Sequence, residues 1–324
     1  MVEIRPIFLF SLPRSGSTLV QRVLASAKEI ETHPEPWLLL PLFYMTKEVY
    51  AEYNHKTVND AISAFIEQLP KKEFDIKTAI VEFATSLYAK ATKSPNAKYF
   101  LDKTPRYSLI SDDIIDAFEE GKFIFLWRNP LAVITSINHS WADGKWNAYR
   151  YYVDLYKGLL TNISAFKKNQ DKVVSVRYED LVIGSTESWQ EIFDYLKTPF
   201  DKQYLTDFSA ISFEGQKGDQ IGTKKYKRLS SKSVNKWEKE FSNPLRKRWA
   251  RNYLAKIGSK NLELIGYSYN DLLDTVNRTP FSFKYLFSDI IRMLIAGPYH
   301  YIDISPLRSK LKKKWKNDGF YQNR

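Results

Sequence analysis

A chain of 324 residues, 44% hydrophobic and 15% aromatic, can bury a sizeable core, so disorder is not the default reading. It has no cysteine, so disulfides, thiolate metal sites and a cysteine nucleophile are excluded, and its four histidines are too scattered in sequence to suggest a metal cluster. The formal net charge of +12 is local: residues 217–251 hold 12 Lys/Arg against 3 Asp/Glu and residues 308–324 hold 7 against 1, leaving the rest of the chain near −3, which points to specific anionic partners.

The first apolar run, Ile7 to Phe10, is too short for a signal-peptide core and meets a polar turn at Ser11, so a cytoplasmic location is expected. Four β-branched or aromatic runs read as buried strands: Ile7–Ser11, Tyr99–Asp102, Phe123–Trp127 and Val173–Arg177. Helical patterns separate them: Ser17–Lys28, Ser108–Glu119, and Pro130–Trp141 with Asn129 as N-cap and Pro130 at the first helical position. Trp146, Tyr149, Tyr152, Val153, Tyr156, Leu159, Leu160 and Ile163 keep helical spacing as a further core helix. Residues 43–95 carry no strand signal and are expected to form helices beside the sheet, where a substrate pocket would be shaped. Alternation of strand and helix predicts an α/β fold: a central parallel sheet flanked by helices in three layers, P-loop-like in its first turn. No repeat or low-complexity linker divides the chain, so one domain over residues 1–275 is expected, with a C-terminal helical extension and basic tail over 276–324.

Phe8-Leu-Phe-Ser-Leu-Pro-Arg-Ser-Gly-Ser-Thr-Leu19 is a buried strand, a tight turn and a helix start, an arrangement that aims several backbone N–H groups at one anion. Gly16 allows close approach and Arg14 adds a fixed charge; the same residues also fit an ordinary βα turn whose Ser17 or Thr18 merely caps the helix. The turn is not a Walker A loop, because the cation precedes the glycine, and no strand-end Asp obviously supplies a magnesium ligand. Such a site favours a donor whose transfer needs no metal.

Leu12-Pro-Arg-Ser-Gly-Ser-Thr-Leu19 resembles the 5′-phosphosulfate loop of the sulfotransferases that use 3′-phosphoadenosine-5′-phosphosulfate (PAPS). Phe123-Ile-Phe-Leu-Trp-Arg-Asn-Pro-Leu-Ala-Val-Ile-Thr-Ser136 independently resembles that family's 3′-phosphate segment. The likeness spans residues 6–240 and includes Lys103-Thr-Pro105 and Arg177-Tyr-Glu-Asp-Leu181. It implies that Arg14, Ser15, Gly16, Ser17 and Thr18 hold the 5′ end of the donor, that Arg128 and Ser136 bind the 3′-phosphate, and that Tyr178 lines the nucleotide pocket. Leu19 stands where soluble small-molecule members carry an aromatic residue, and the second motif lacks their histidine, so the chain looks closer to the glycan and protein-tyrosine branch.

Sulfuryl transfer needs a base for the acceptor's proton and a cation for charge building on the leaving phosphate oxygen. By resemblance the base is Glu35, 21 residues after Arg14 within Glu31-Thr-His-Pro-Glu-Pro-Trp37, where Pro34 and Pro36 stiffen the stretch; His33 is the reserve. Lys103 resembles the lysine that bridges donor and acceptor, with Arg14 beside it. Glu179 and Asp180 read as structural caps. The basic stretch Lys217 to Lys239 falls where the family closes a loop over the 3′-phosphate, and Lys227 is the cation assigned there.

The resemblance implies PAPS as donor, no metal, and a hydroxyl-bearing acceptor, preferentially a glycan that Trp37, Trp141 and Trp146 would stack against. Two other readings stay open: a P-loop kinase or NTPase, and a non-catalytic nucleic-acid binder using Tyr226, Trp237, Trp249 and Tyr253 among the cations. At the C-terminus, Phe283, Leu286, Phe287, Ile290, Ile291 and Leu294 share one stripe while Lys284, Ser288, Asp289 and Arg292 lie on the other side. With Arg308-Ser-Lys-Leu-Lys-Lys-Lys-Trp-Lys316 following, this pattern suits peripheral contact with an anionic membrane at its inner face; the alternative is a helix docked on the main domain with a solvated tail.

Overall fold

The structure is a computed structural model that describes residues 4–45, 47, 55–70, 75–183, 186–211, 213 and 228–301. Five strands, β1 (Arg5–Phe10), β2 (Ile30–Thr32), β3 (Tyr99–Asp102), β4 (Lys122–Trp127) and β5 (Val173–Arg177), form one sheet in the order β2-β3-β1-β4-β5. Every pairing is parallel, with Ile7 opposite Leu101 on one side and Lys122 on the other. The chain is therefore the three-layer α/β fold that the strand and helix alternation predicts.

Side-chain alternation sorts the sheet into two chemically different faces. Phe8, Phe10, Phe100, Phe123, Phe125 and Trp127 point into one buried cluster, and Ile7, Leu9, Tyr99, Leu101, Ile124 and Leu126 into the other. On the aromatic face Phe8 stacks on Phe10 and Phe123 and meets Phe118 edge-on at 4.8 Å. The aliphatic face is covered by the helices Ser17–Leu24, Tyr178–Ile183 and Glu187–Tyr195, the aromatic face by Ile76–Ala91, Ser111–Ala117, Pro130–Ala142, Leu159–Lys168 and Pro244–Ile257. At about 1.5–3 kcal/mol for each fully buried large side chain, these two layers supply most of the driving force that fixes strand register.

Three local expectations are corrected. The first helix ends at Leu24, not Lys28, because Ser26 and Ala27 donate to Val23 and Leu24 in tighter 3-10 bonds and the chain turns into β2, a strand the sequence did not announce. The helix expected over Ser108–Glu119 is a 3-10 turn Pro105–Leu109 followed by Ser111–Ala117, since Ile110 leaves helical geometry at φ −136° and drops into the core. The run from Trp146 to Ile163 is a 3-10 turn Ala148–Tyr151, a π-helical turn Val153–Gly158 and the helix Leu159–Lys168. The described elements within residues 43–95 are helices, as expected: the end of Leu39–Tyr44, His55–Gln68 and Ile76–Ala91.

The C-terminal helix Leu286–Tyr301 is fastened by its polar side. Asp289 is fully buried and receives Arg246 Nε at 2.6 Å, Arg246 Nη2 at 3.0 Å and Asn243 Nδ2 at 2.9 Å. Arg246 also donates to Glu240 at 2.5 Å and to the Gly144 carbonyl at 2.8 Å. Gly144 sits at φ +82° under the Tyr285 ring, where a Cβ would lie 2.4 Å from the hydroxyl.

Candidate active site

β1 is the central strand, and the loops leaving β1, β3 and β4 open together at the carboxyl edge of the sheet, where parallel α/β proteins bind ligands. The β1 loop is shaped by two residues in the left-handed region, Arg14 at φ 69° and Gly16 at φ 94°. Only glycine fits at position 16, since a Cβ there would lie 2.3 Å from the Tyr178 ring beneath the loop. The Arg14 conformation is held from outside, by Arg128 Nη1 donating to the Arg14 carbonyl at 2.7 Å.

The following helix starts at Ser17 with Gly16 as its cap residue and no side-chain cap. Neither Ser17 nor Thr18 stands at the cap position, which Gly16 takes, so the first N–H groups of the helix lack a side-chain cap. Ser15, Ser17, Thr18 and Ser136 gather there, with Arg14 Nε donating to Ser136 Oγ at 3.3 Å across the two motifs. Arg128 lies 4.5 Å over the face of Tyr178 and keeps its Nε buried without a partner among the described residues. An unsatisfied guanidinium N–H beside an uncapped helix start fits a donor carrying two separate anionic groups. Tyr178 is buried, its hydroxyl 3.3 Å from Ser233 Oγ, so the later part of the basic stretch returns beside the loop. Lys227 lies outside the described residues.

The second cluster forms one strand over. Thr32, at the end of β2, pairs with Leu101, so three residues later Glu35 is brought beside Lys103 at the end of β3. Lys103 Nζ donates to Glu35 Oε1 at 2.8 Å, and Trp37 Nε1 donates to Glu35 Oε2 at 3.2 Å. The Lys103 side chain is 2% exposed and that of Glu35 15%, so this is a crevice pair rather than a surface one. His33 gives its Nε2 contact to the Ala91 carbonyl at 3.2 Å and lies against Phe100, away from the pair.

Beneath the pair sits a residue the sequence reading passed over. Asp102 is fully buried and accepts from Tyr88 Oη at 2.7 Å, Tyr107 Oη at 3.0 Å and Thr104 Oγ1 at 3.0 Å. Burial pushes its carboxyl up to about 6, the three donors and Lys103 opposing the shift. Thr104 Oγ1 in turn accepts from the Trp37 N–H at 3.3 Å and Tyr107 Oη from the Leu39 N–H at 3.0 Å, so Asp102 is bound through both to the segment that bears Glu35. The available signal was an aspartate closing an apolar strand directly before Lys103.

On the open side, Trp141 stacks on Tyr151 at 4.8 Å with Arg14 5.3 Å over its ring. Arg106 forks onto Asp154 with two bonds of 3.1 Å and lies 5.9 Å over Trp37. Trp37 holds φ 57°, a strained value for a large side chain. Trp146, expected beside them, is instead 1% exposed and packed edge-on against Trp249, because the segment after the Pro130–Ala142 helix folds inward. Trp237 and Tyr253 are also buried and Trp249 stacks on Tyr253 at 4.7 Å, so those aromatics of the basic stretch are core and not a nucleic-acid platform.

A five-stranded parallel α/β sheet whose first loop and second motif meet at its carboxyl edge is a P-loop-like fold. Residues 6–202 match the family model described as the sulfotransferase family, and the chain belongs to that family. The nodulation protein NoeE of Sinorhizobium fredii is 31% identical over 138 residues, which cover 41% of this chain and 31% of NoeE. Among solved structures, the sulfotransferase domain from the curacin biosynthetic pathway aligns with TM-score 0.47 at 22% identity, over 72% of this chain and 90% of that one. Retinol dehydratase in complex with androsterone and the inactive cofactor PAP aligns with TM-score 0.44 at 15% identity, over 83% of this chain and 84% of that one.

Proposed function

We propose that this protein transfers a sulfuryl group from PAPS to an acceptor hydroxyl, with Glu35 as general base. The observation that carries the reading is the joining of the two motifs: Arg14 bonded to Ser136 and Arg128 bonded to the Arg14 carbonyl, around an uncapped helix start. Arg14 and the backbone of Ser15 to Thr18 would hold the 5′ end of the donor, and Arg128 with Ser136 its 3′-phosphate, over Tyr178. A cation from the 217–227 stretch, Lys227 by resemblance, would close the 3′ side.

The donor supplies an activated sulfuryl group bonded to a phosphate that leaves with its electron pair. As the acceptor oxygen bonds to sulfur and the bridging S–O bond breaks, the hydroxyl proton passes to the Glu35 carboxylate. Charge on the departing oxygen falls to Lys103, to Arg14 and to the helix N–H groups, all fixed before reaction. The Lys103–Glu35 bond serves both roles, orienting the carboxylate and aiming the ammonium.

A carbohydrate or glycoconjugate acceptor is favoured by two flat rings with exposed surface, Trp37 beside the pair and Trp141 over Arg14, and by the half-exposed Arg106 that Asp154 holds in place. This keeps the chain nearer the glycan branch of the family. No helix among the described residues is long and apolar enough to cross a membrane, and a cytoplasmic site of action, with a peripheral position at the inner face of a membrane, belongs to the same reading.

Thermal stabilisation separates this reading from its rivals. Adenosine 3′,5′-bisphosphate in EDTA is expected to raise the melting temperature, and ATP with magnesium or a random oligonucleotide is expected to do little. The reverse order would assign the crevice to a kinase or to nucleic acid. Transfer of labelled sulfate from PAPS to a panel of oligosaccharides then identifies the acceptor.

A further inference from the structure

The C-terminal helix presents its apolar side to solvent. Phe287, Ile290, Ile291 and Leu294 recur at helical spacing and are 77%, 43%, 45% and 72% exposed, while Asp289 on the opposite side is fully buried. Phe281 and Phe283, just ahead of the helix, are 55% and 76% exposed and pack edge-on at 4.7 Å. A helix merely completing the core would be turned the other way. Its orientation is locked: Arg246 and Asn243 hold Asp289, Tyr285 Oη donates to the Asp143 carbonyl at 3.1 Å and Arg292 Nη1 to the Trp146 carbonyl at 3.2 Å. Rolling the apolar stripe inward would take Asp289 away from Arg246 and Asn243 and leave those buried donors short of an acceptor.

We infer that this face is a docking surface for an anionic lipid bilayer, on which the helix lies in the interface plane. Two features choose lipid over other occupants. The exposed stripe mixes phenylalanine with aliphatic residues, the composition that partitions at the acyl boundary, and the helix is too short to span. Residues 308–324 carry seven basic side chains against one acidic, and chain connectivity keeps Arg308 within about 25 Å of Tyr301. Apolar insertion and basic attraction are the two signals that together give stable peripheral attachment. The same helix packs on the turn Ala148–Tyr151, whose Tyr151 stacks on Trp141 at the acceptor side of the crevice. Docking there would hold the crevice close to hydroxyls borne on membrane lipids.

The test is co-sedimentation of the full chain with vesicles of phosphatidylcholine alone or mixed with phosphatidylserine. Binding is expected to the mixed vesicles only, to weaken as salt rises, and to fall at least tenfold in the double variant Phe287→Ser, Leu294→Ser. Deletion of residues 308–324 should lower it about fivefold for each basic residue that reaches the surface. Both side chains are exposed, so the double variant should melt and bind adenosine 3′,5′-bisphosphate as the parent does, which separates lost docking from lost folding. Absence of binding at low salt, or binding that the double variant leaves intact, overturns the inference. A lipid-independent dimer in sedimentation velocity, abolished by the double variant, also overturns it by assigning the face to a second copy.

Discussion

Glu35 has both carboxylate oxygens engaged, one by the Lys103 ammonium at 2.8 Å and one by the Trp37 indole at 3.2 Å. Such a carboxylate can rotate little, which suits a base that must meet one proton at one place. Glu35→Gln should keep the indole contact and donor binding while transfer falls on the order of a hundredfold or more, read as a loss of kcat with little change in donor affinity. Near-parental turnover on a genuine acceptor would place the base elsewhere, and the His33 contact to the Ala91 carbonyl makes that residue a poor substitute. The meeting of Arg14, Arg128 and Ser136 was legible in the sequence because the β1 turn and the Arg128 to Ser136 run are local patterns. Trp146 was not: its burial depends on Trp249 and Arg246, about a hundred residues on, a long-range contact that spacing does not encode.

β2 is the element on which the Lys103–Glu35 pair depends. Only three residues long, it lacks the length of a recognisable strand, yet its pairing with β3 sets Glu35 beside Lys103. Gln21 Nε2 ties it to the first helix through Thr32 Oγ1 at 2.8 Å and the His33 carbonyl at 3.0 Å. The bonds through Thr104 and Tyr107 to Asp102 complete the support. The folded state favours protonated Asp102, whose carboxyl is pushed from 3.8 up to about 6. Its contribution to stability is therefore fullest below about pH 4 and declines as pH rises through the folded value near 6, by up to about 3 kcal/mol. Denaturant unfolding of the parent and of Asp102→Asn at several pH values checks this. The parent's advantage should shrink between pH 4 and 6.5, and an advantage that grows over that interval would reverse the assigned sign. β2 escapes sequence reading because its partner strand lies far along the chain, and Asp102 because only the fold turns the hydroxyls of Tyr88, Thr104 and Tyr107 onto one carboxylate.

Across the whole molecule, charge is divided between two uses. Arg246 and its carboxylate partners are buried and hold the C-terminal helix, whereas Arg14, Lys103 and Arg128 converge on a crevice whose helix start lacks a cap. The alternating strands and helices made the parallel sheet predictable, and the two matched motifs pointed to where its loops meet; for the last helix the sequence left an outward stripe and a docked helix both open, because an apolar stripe ordinarily faces a core. Titration calorimetry of adenosine 3′,5′-bisphosphate in EDTA, on the parent and on Arg128→Ala, tests the donor site most directly. Micromolar binding is expected for the parent, weakened by about 1.5–3 kcal/mol in the variant, the worth of a hydrogen bond to a charged group. No heat at millimolar ligand, or equal affinity in the two proteins, would contradict it.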